Sequence, residues 1–372
     1  MLEKIINGIR KAACVGLTTI ALMGGIAREA KAQENLRYEV TEIEIPGVYL
    51  GALEVKGLND QGMILVYDDY SDKSFICSDG KVREIDIGAS KINDFGEVLF
   101  LNSIYKLGEK INLDFLGEDM SNTAVVGNFW VGGRPPAYPP TAYMYLLESN
   151  QKIELGNFKA CLVNDNRKIA GYFYDPNHSY YRSAVVWENG VLKKLEKLCY
   201  GPEEDPACFK INLSDINNEG KIVGTSYWDI WEKPQFACMW DENGRITQLD
   251  TNPLSKATAI NDNDQVVGTS TTETNIFFAV LYQKDKQNNI VKINLNELFP
   301  EYSKQGWSDW RLWKGLYINN RGQIICWGIG YKQGSAYFLL TPKPLPSADL
   351  TGDGIVNLRD LSELAEHWLE EK

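Results

Sequence analysis

Ile260-Asn261-Asp262-Asn263-Asp264-Gln265-Val266-Val267-Gly268 decides the architecture, because the chain keeps repeating it. Ile216-Asn217-Asn218-Glu219-Gly220-Lys221-Ile222-Val223-Gly224 is a second copy and Val163-Asn164-Asp165-Asn166-Arg167-Lys168-Ile169-Ala170-Gly171 a third. Shorter echoes begin at Leu58-Asn59, Ile92-Asn93 and Ile318-Asn319. Each copy is an apolar run, a turn of Asn, Asp and Gly, and a second apolar run. That is the sequence form of a tight β-hairpin, since the turn residues accept positive φ while the flanks prefer strand. A unit that recurs along a chain sets its architecture.

The hairpin is half of the unit. A short strand centred on Ala follows: Ser183-Ala184-Val185-Val186-Trp187, Phe236-Ala237-Cys238-Met239-Trp240, Phe278-Ala279-Val280-Leu281-Tyr282 and Ser335-Ala336-Tyr337-Phe338-Leu339, with Thr141-Ala142-Tyr143-Met144-Tyr145 beside them. A turn such as Glu188-Asn189-Gly190 or Asp241-Glu242-Asn243-Gly244 leads to a fourth run, as in Arg245–Leu249. Four antiparallel strands in roughly 40–50 residues make one blade of a β-propeller. The first Asn falls at 59, 93, 164, 217, 261 and 319, and Thr123-Ala124-Val125-Val126-Gly127 marks a degraded copy near Met120. The expectation is an all-β, seven-bladed propeller, with six blades as the alternative because the unit around Lys91–Leu116 is short. The last unit has three strands, Gly315–Ile318, Gln323–Trp327 and Ser335–Leu340, before the prolines begin. The alternating segment Arg37–Ile45 is expected to supply its fourth and close the ring without a free edge.

The pairing of this hairpin with an Ala-centred strand resembles the extracellular His-Ala-Phe (HAF) repeats, most closely over Val163–Leu295 and loosely over Val55–Pro342. The His of that tripeptide is replaced by Ser, Phe or Thr. The resemblance implies a propeller and export, and it brings no catalytic residue.

Export is also read at the N-terminus. Lys4, Arg10 and Lys11 precede an apolar stretch from Ala12 to Ile26, and Ala30-Lys31-Ala32 offers a small-x-small cleavage site. Residues 1–32 therefore read as a signal peptide cleaved near Ala32, giving a secreted, extracellular or cell-surface protein without a membrane span. The chain has a net charge of −12, and losing the leader makes it more acidic. Nucleic acid is a poor partner for such a chain, whereas calcium and neutral polymers suit it. Of seven cysteines, six remain without Cys14. Cys199 and Cys208 bracket the loop Tyr200–Ala207 as a candidate disulfide, while the pairing of Cys77, Cys161, Cys238 and Cys326 stays open.

Short, uniform hairpins on one face of the ring leave the long, irregular connections for the other, where function tends to sit. Those connections are aromatic. Trp130, Tyr138, Trp228, Trp231, Trp307, Trp310 and Trp313 are candidate stacking platforms for a polysaccharide or a peptide, against the plainer reading that they fill between blades. The spacing of Trp307, Trp310 and Trp313 also fits one helical turn. Catalysis needs paired carboxylates or a nucleophile with a base, and no spacing marks either. Asp60, Asp94, Asp165 and Asp262 read as ordinary turn acids.

The C-terminus carries a different chemistry. Asp349, Thr351, Asp353, Asn357 and Asp360 place oxygens at loop positions 1, 3, 5, 9 and 12 around Gly354, with the Ile355 carbonyl at position 7: an EF-hand-like calcium loop. In the helix expected after it, Leu358, Leu361, Leu364, Ala365, Trp368 and Leu369 share a face. Loop and helix resemble one half of a type I dockerin. That implies calcium as cofactor and a cohesin-like or cell-surface partner read by Leu358 and Arg359, but there is no second unit. The organisation expected is a signal at 1–32, a propeller at 36–341, a Pro-rich linker at 342–348 and a half-dockerin at 349–372. The function expected is non-catalytic binding or display, with a propeller glycoside hydrolase or lyase and a structural surface or matrix component as alternatives.

Overall fold

The computed structural model describes residues 38–48, 50–85, 88–129, 140–174, 182–198, 210–227, 234–285, 287–298, 310–330 and 334–343, together with Arg359 and Ser362. The compact unit Tyr38–Pro342 is a seven-bladed β-propeller of seven four-stranded antiparallel sheets. Blades 1 to 7 begin with the inner strands Leu53–Leu58, Lys91–Ile92, Leu116–Met120, Lys159–Val163, Lys210–Ile216, Lys256–Ile260 and Trp310–Ile318. Blade 2 is short, yet it forms a complete sheet, so the count is seven and not six.

Blade 7 closes as expected. Tyr38–Glu42 pairs antiparallel with Gly334–Pro342 as the outermost strand, with Tyr38 opposite Pro342. The inner strand of this blade is longer than the sequence indicates, starting at Trp310 and not Gly315. Two β-bulges, at Leu312/Lys314 and Gly315/Tyr317, let it stay paired with Ile324–Gly330.

Bulging recurs in every blade but the short second one. The inner strand is bulged at Val55/Gly57, Gly117/Asp119, Ala160/Leu162, Leu213/Asp215 and Ala257/Ala259 as well. A bulge puts two residues opposite one and increases the local twist. Here it brings the inner backbone onto the second strand, which explains the Gly that ends the phrase. A Cβ on Gly171, Gly224 or Gly268 would lie 2.0, 2.1 or 1.9 Å from the carbonyl oxygen of Lys159, Asn212 or Lys256.

The apolar core lies between blades. Blades 4 and 5 share Tyr172, Ala184, Ile211, Ile222 and Trp240, and blades 7 and 1 share Ile325, Val55, Val66 and Phe75. The central Ala142, Ala184, Ala237, Ala279 and Ala336 are all buried, the small side chain fitting a strand with a sheet packed on each face. Cys77, Cys238 and Cys326 are free thiols, and burial pushes Cys238 up to about 12. Cys199 and Cys208 lie outside the described residues. Among the described residues no helix is long and apolar enough to cross a membrane.

Candidate functional site: the latched mouth of the channel

Each hairpin of the phrase is built by its first Asn. Asn59 Oδ1 accepts the N–H groups of Gln61 and Met63 at 3.1 and 2.8 Å, and its carbonyl accepts Gly62 N–H at 3.0 Å. Gly62 sits at φ +80°, completing a three-residue loop with a bulge at the left-handed residue. Gly96, Gly220 and Gly322 repeat that conformation, whereas Arg167 and Asp264 adopt it at φ +62° and +60° without being glycine.

The other end of the Asn side chain reaches the neighbouring blade. Asn59 Nδ2 donates to the carbonyl of Asn93 at 2.8 Å, and Asn93 Nδ2 to that of Ser121 at 3.4 Å. Asn164, Asn217, Asn261 and Asn319 donate to the carbonyls of Asn217, Asn261, Asn319 and Asn59 at 2.9, 3.1, 3.0 and 2.9 Å. Blade 3 has Ser121 in place of Asn, and Thr123 Oγ1 makes the missing link to the carbonyl of Asp165 at 2.8 Å.

A second ring runs through the next residue of each hairpin: Asp60, Asp94, Asn122, Asp165, Asn218, Asp262 and Asn320. Every backbone N–H donates to a side-chain oxygen of the next member, at 2.6–3.0 Å, and Asn320 closes onto Asp60 at 2.7 Å. Three carboxamides alternate with four carboxylates, and each carboxamide Nδ2 bridges its two acidic neighbours. Asn122 reaches Asp94 and Asp165 at 2.6 and 3.0 Å, Asn218 reaches Asp165 and Asp262 at 3.2 and 3.0 Å, and Asn320 reaches Asp262 and Asp60 at 2.8 and 2.7 Å. The sequence presents these acids as unremarkable turn residues; the structure makes them a circular latch. The signal was the Asp/Asn alternation one residue after the repeated Asn.

Behind the latch the inner strands enclose a cavity of about 220 Å³. Lys91, Asp119 and Asp215, each two residues before the first Asn or its Ser121 counterpart, line it together with Lys56 and the acids of the latch. Lys91 pairs with Asp119 at 3.0 Å, which holds the ammonium above its usual value. Asp119 Oδ2 also accepts Val163 N–H at 2.9 Å, and Asp215 accepts the N–H groups of Ile216 and Ile260, both at 2.9 Å. Burial raises Asp215 to about 6, against the lowering effect of those hydrogen bonds and of Lys91. Tyr317 completes the layer, with burial pushing its phenol up. These carboxylates are spent on backbone donors and an ion pair, so the channel is a polar, internally satisfied axle.

Two of the seven candidate aromatics fall within the described residues. Trp310 and Trp313 lie on the inner strand of blade 7, so the helical-turn alternative does not hold for them. Trp310 stands edge-on to buried Phe338 at 5.2 Å, the filling role weighed above. Trp313 bridges blades, 5.7 Å from Phe277 of blade 6 and 5.9 Å from Trp327, and Lys314 Nζ lies 5.3 Å from the Trp327 ring centre. Phe277, Trp313 and Trp327 are each half-buried. Trp130, Tyr138, Trp228, Trp231 and Trp307 lie outside the described residues, as do the loop positions Asp349, Thr351, Asp353, Ile355, Asn357 and Asp360. Arg359 is helical and exposed.

No protein-family model and no curated protein matches this chain. Among solved structures it is similar to the β-propeller domain of the Trilobed protease from Pyrococcus furiosus, with 12% identity over 66% of this chain and 84% of that one and a TM-score of 0.47. It is also similar to an acylaminoacyl peptidase from Pyrococcus horikoshii, with 13% identity over 79% of this chain, 52% of that chain and a TM-score of 0.45. A third is the PQQ-bound aldose sugar dehydrogenase from Streptomyces coelicolor, at 8% identity, 82% of this chain, 99% of that chain and a TM-score of 0.38. The likeness is one of fold alone.

Proposed function

We propose that this is a secreted, non-catalytic binding or display propeller of the HAF-repeat kind, holding an extracellular ligand such as a polysaccharide on the face opposite the hairpins. The observation that carries this reading is the division of labour between the two faces. On the hairpin face, side chains of every blade are committed to the two hydrogen-bonded rings. Toward the other face, half-buried Phe277, Trp313 and Trp327 gather at the seam of blades 6 and 7, with a lysine over one ring. Rigid aromatic surface beside a polar group is the composition of a contact site. The strands that end on this face lead into the segments carrying Trp130, Tyr138, Trp228, Trp231 and Trp307. In the same proposal the tail from Asp349 binds calcium as a half-dockerin and attaches the protein to a larger assembly or cell surface.

The test is a polysaccharide and glycan binding screen on the chain from Gln33, with and without calcium. The expected result is saturable binding that Trp228→Ala with Trp231→Ala abolishes while the melting temperature holds. Absence of saturable binding, or binding that survives the double substitution, would overturn the placement of a ligand on this face, and release of reducing ends from the bound polymer would overturn the non-catalytic reading.

A further inference from the structure

The turn Asn189-Gly190 belongs to neither the latch nor the aromatic face. It is the two-residue loop between Arg182–Glu188 and Val191–Lys194, the outer hairpin of blade 4, with Glu188 paired to Val191. Both residues have positive φ, +49° and +85°, the primed turn that suits a two-residue hairpin. Both are exposed, a Cβ on Gly190 would meet nothing within 4 Å, and among the described residues neither the Asn189 carboxamide nor the Gly190 N–H has a hydrogen-bond partner.

Asn243-Gly244 is the same dipeptide in the corresponding hairpin of blade 5, held differently. Gly244 N–H donates to the Asp241 carbonyl at 2.9 Å, and Asn243 N–H and Nδ2 donate to Asp241 Oδ1 and Glu242 Oε1 at 2.9 and 3.0 Å. Gly244 also packs on blade 4, where an added Cβ would lie 3.1 Å from Leu195.

We propose that Asn189-Gly190 is a site of spontaneous backbone modification, and that Asn243-Gly244, identical in sequence, is protected by its hydrogen bonds. Base removes the Gly190 amide proton and the nitrogen attacks Asn189 Cγ. The new C–N bond closes a five-membered succinimide as the side-chain amide leaves with a proton as ammonia. Water then opens the ring at either carbonyl, giving aspartate or its β-linked isomer, and no oxidant or reductant is needed. The reaction requires a nitrogen free to lose its proton and a carboxamide free to rotate onto it. Asn189-Gly190 meets both conditions; at Asn243-Gly244 the nitrogen is a committed donor and the carboxamide is tethered. The product adds a negative charge near Glu188, which faces Lys168 at 3.9 Å. The β-linked isomer also adds a methylene to the main chain at the tip of an outer hairpin.

The experiment is peptide mapping by mass spectrometry during incubation of the folded protein in mildly alkaline buffer, with isoaspartate detection. Conversion at Asn189 is expected to run at least several-fold faster than at Asn243, and the two rates to converge in denaturant. Equal rates in the folded protein, or Asn243 reacting first, would refute the assignment. Asp241→Ala, which removes the side-chain acceptor that fixes the second turn, is expected to speed Asn243 and leave Asn189 unchanged. A speed-up at both sites would mean general unfolding and would count against local protection.

Discussion

Asp60 donates its backbone N–H to a carboxylate oxygen of Asp94 at 2.6 Å, and at this junction of the latch a carboxylate follows a carboxylate. An alternating pattern cannot close on seven members without one such mismatch. Every other junction contains a carboxamide that donates to the acid beside it, so Asp60 and Asp94 each receive one such bond where Asp165 and Asp262 receive two.

Asp94→Asn removes the facing charge but gives up the bond that Asp94 Oδ2 accepts from Asn122 Nδ2 at 2.6 Å, so its stability relative to the parent is expected to be more favourable near neutral pH than in acid. Asp60 is raised, first by burial and then by the charges of Asp94 and Asp262, against lowering bonds from Asn320. A carboxyl raised in the folded state contributes stability that is complete below its unfolded value and fades as pH rises through the folded one. The balance should therefore favour the variant most at neutral pH and shift toward the parent on acidification, as read from urea midpoints. A pH-independent loss would contradict this account of the junction.

Gly171→Ala, Gly224→Ala and Gly268→Ala are each expected to cost more than about 3 kcal/mol or to prevent folding, because the new methyl meets a backbone carbonyl at about 2 Å. Gly156, at φ +110° with nothing within 4 Å, separates backbone strain from steric clash. Its alanine variant should lose less than half as much in the same unfolding assay.

Arg167 and Asp264 share one hairpin position and one strained conformation but should respond oppositely to glycine. Arg167→Gly relieves the positive φ and is expected to stabilise by about 0.5–1 kcal/mol. Asp264→Gly loses the bonds to Lys221 at 2.6 Å and Lys284 at 3.2 Å. Burial would raise Asp264, and those lysines outweigh it to leave the carboxyl lowered. Its stabilisation is present above the unfolded value and is lost as pH falls through the folded one, so the penalty of Asp264→Gly should fade in acid. Thermal melts at two pH values test both signs.

Much of the fold is legible because hairpin chemistry is local. An Asn that caps its own turn and a Gly at positive φ announce themselves wherever they occur, so the ring, its degraded copy at Ser121-Asn122-Thr123 and its closing strand can be read from the chain. The latch is less legible, since Asn320 and Asp60 lie 260 residues apart and meet only when the circle closes. The bulges leave no side-chain pattern beyond the phrase-ending Gly. Trp310 and Trp313 show why aromatic spacing alone misleads: a bulged strand shifts which face a residue points to, and Trp313 ends up between blades.

Lys91→Met is expected to move Asp215 further above its raised value of about 6, because the ammonium is one of the influences lowering it. Carbon-detected NMR of the Asp215 carboxyl reads the midpoint directly. The stability Asp215 contributes in acid, lost as pH rises through about 6 in the parent, should then persist to higher pH in the variant. An unchanged midpoint would mean that burial and the backbone bonds alone set this group.

Tyr38 and Pro342 are cross-strand partners, so the polypeptide leaves the propeller where it entered. Apart from one missing connection it is a circle, and its starting residue is an accident of the gene. Joining Pro342 to Tyr38 through a short linker and opening the exposed turn at Glu148-Ser149 should give a circular permutant that folds to the same ring. Blade 3 would then be the blade assembled from both ends of the chain.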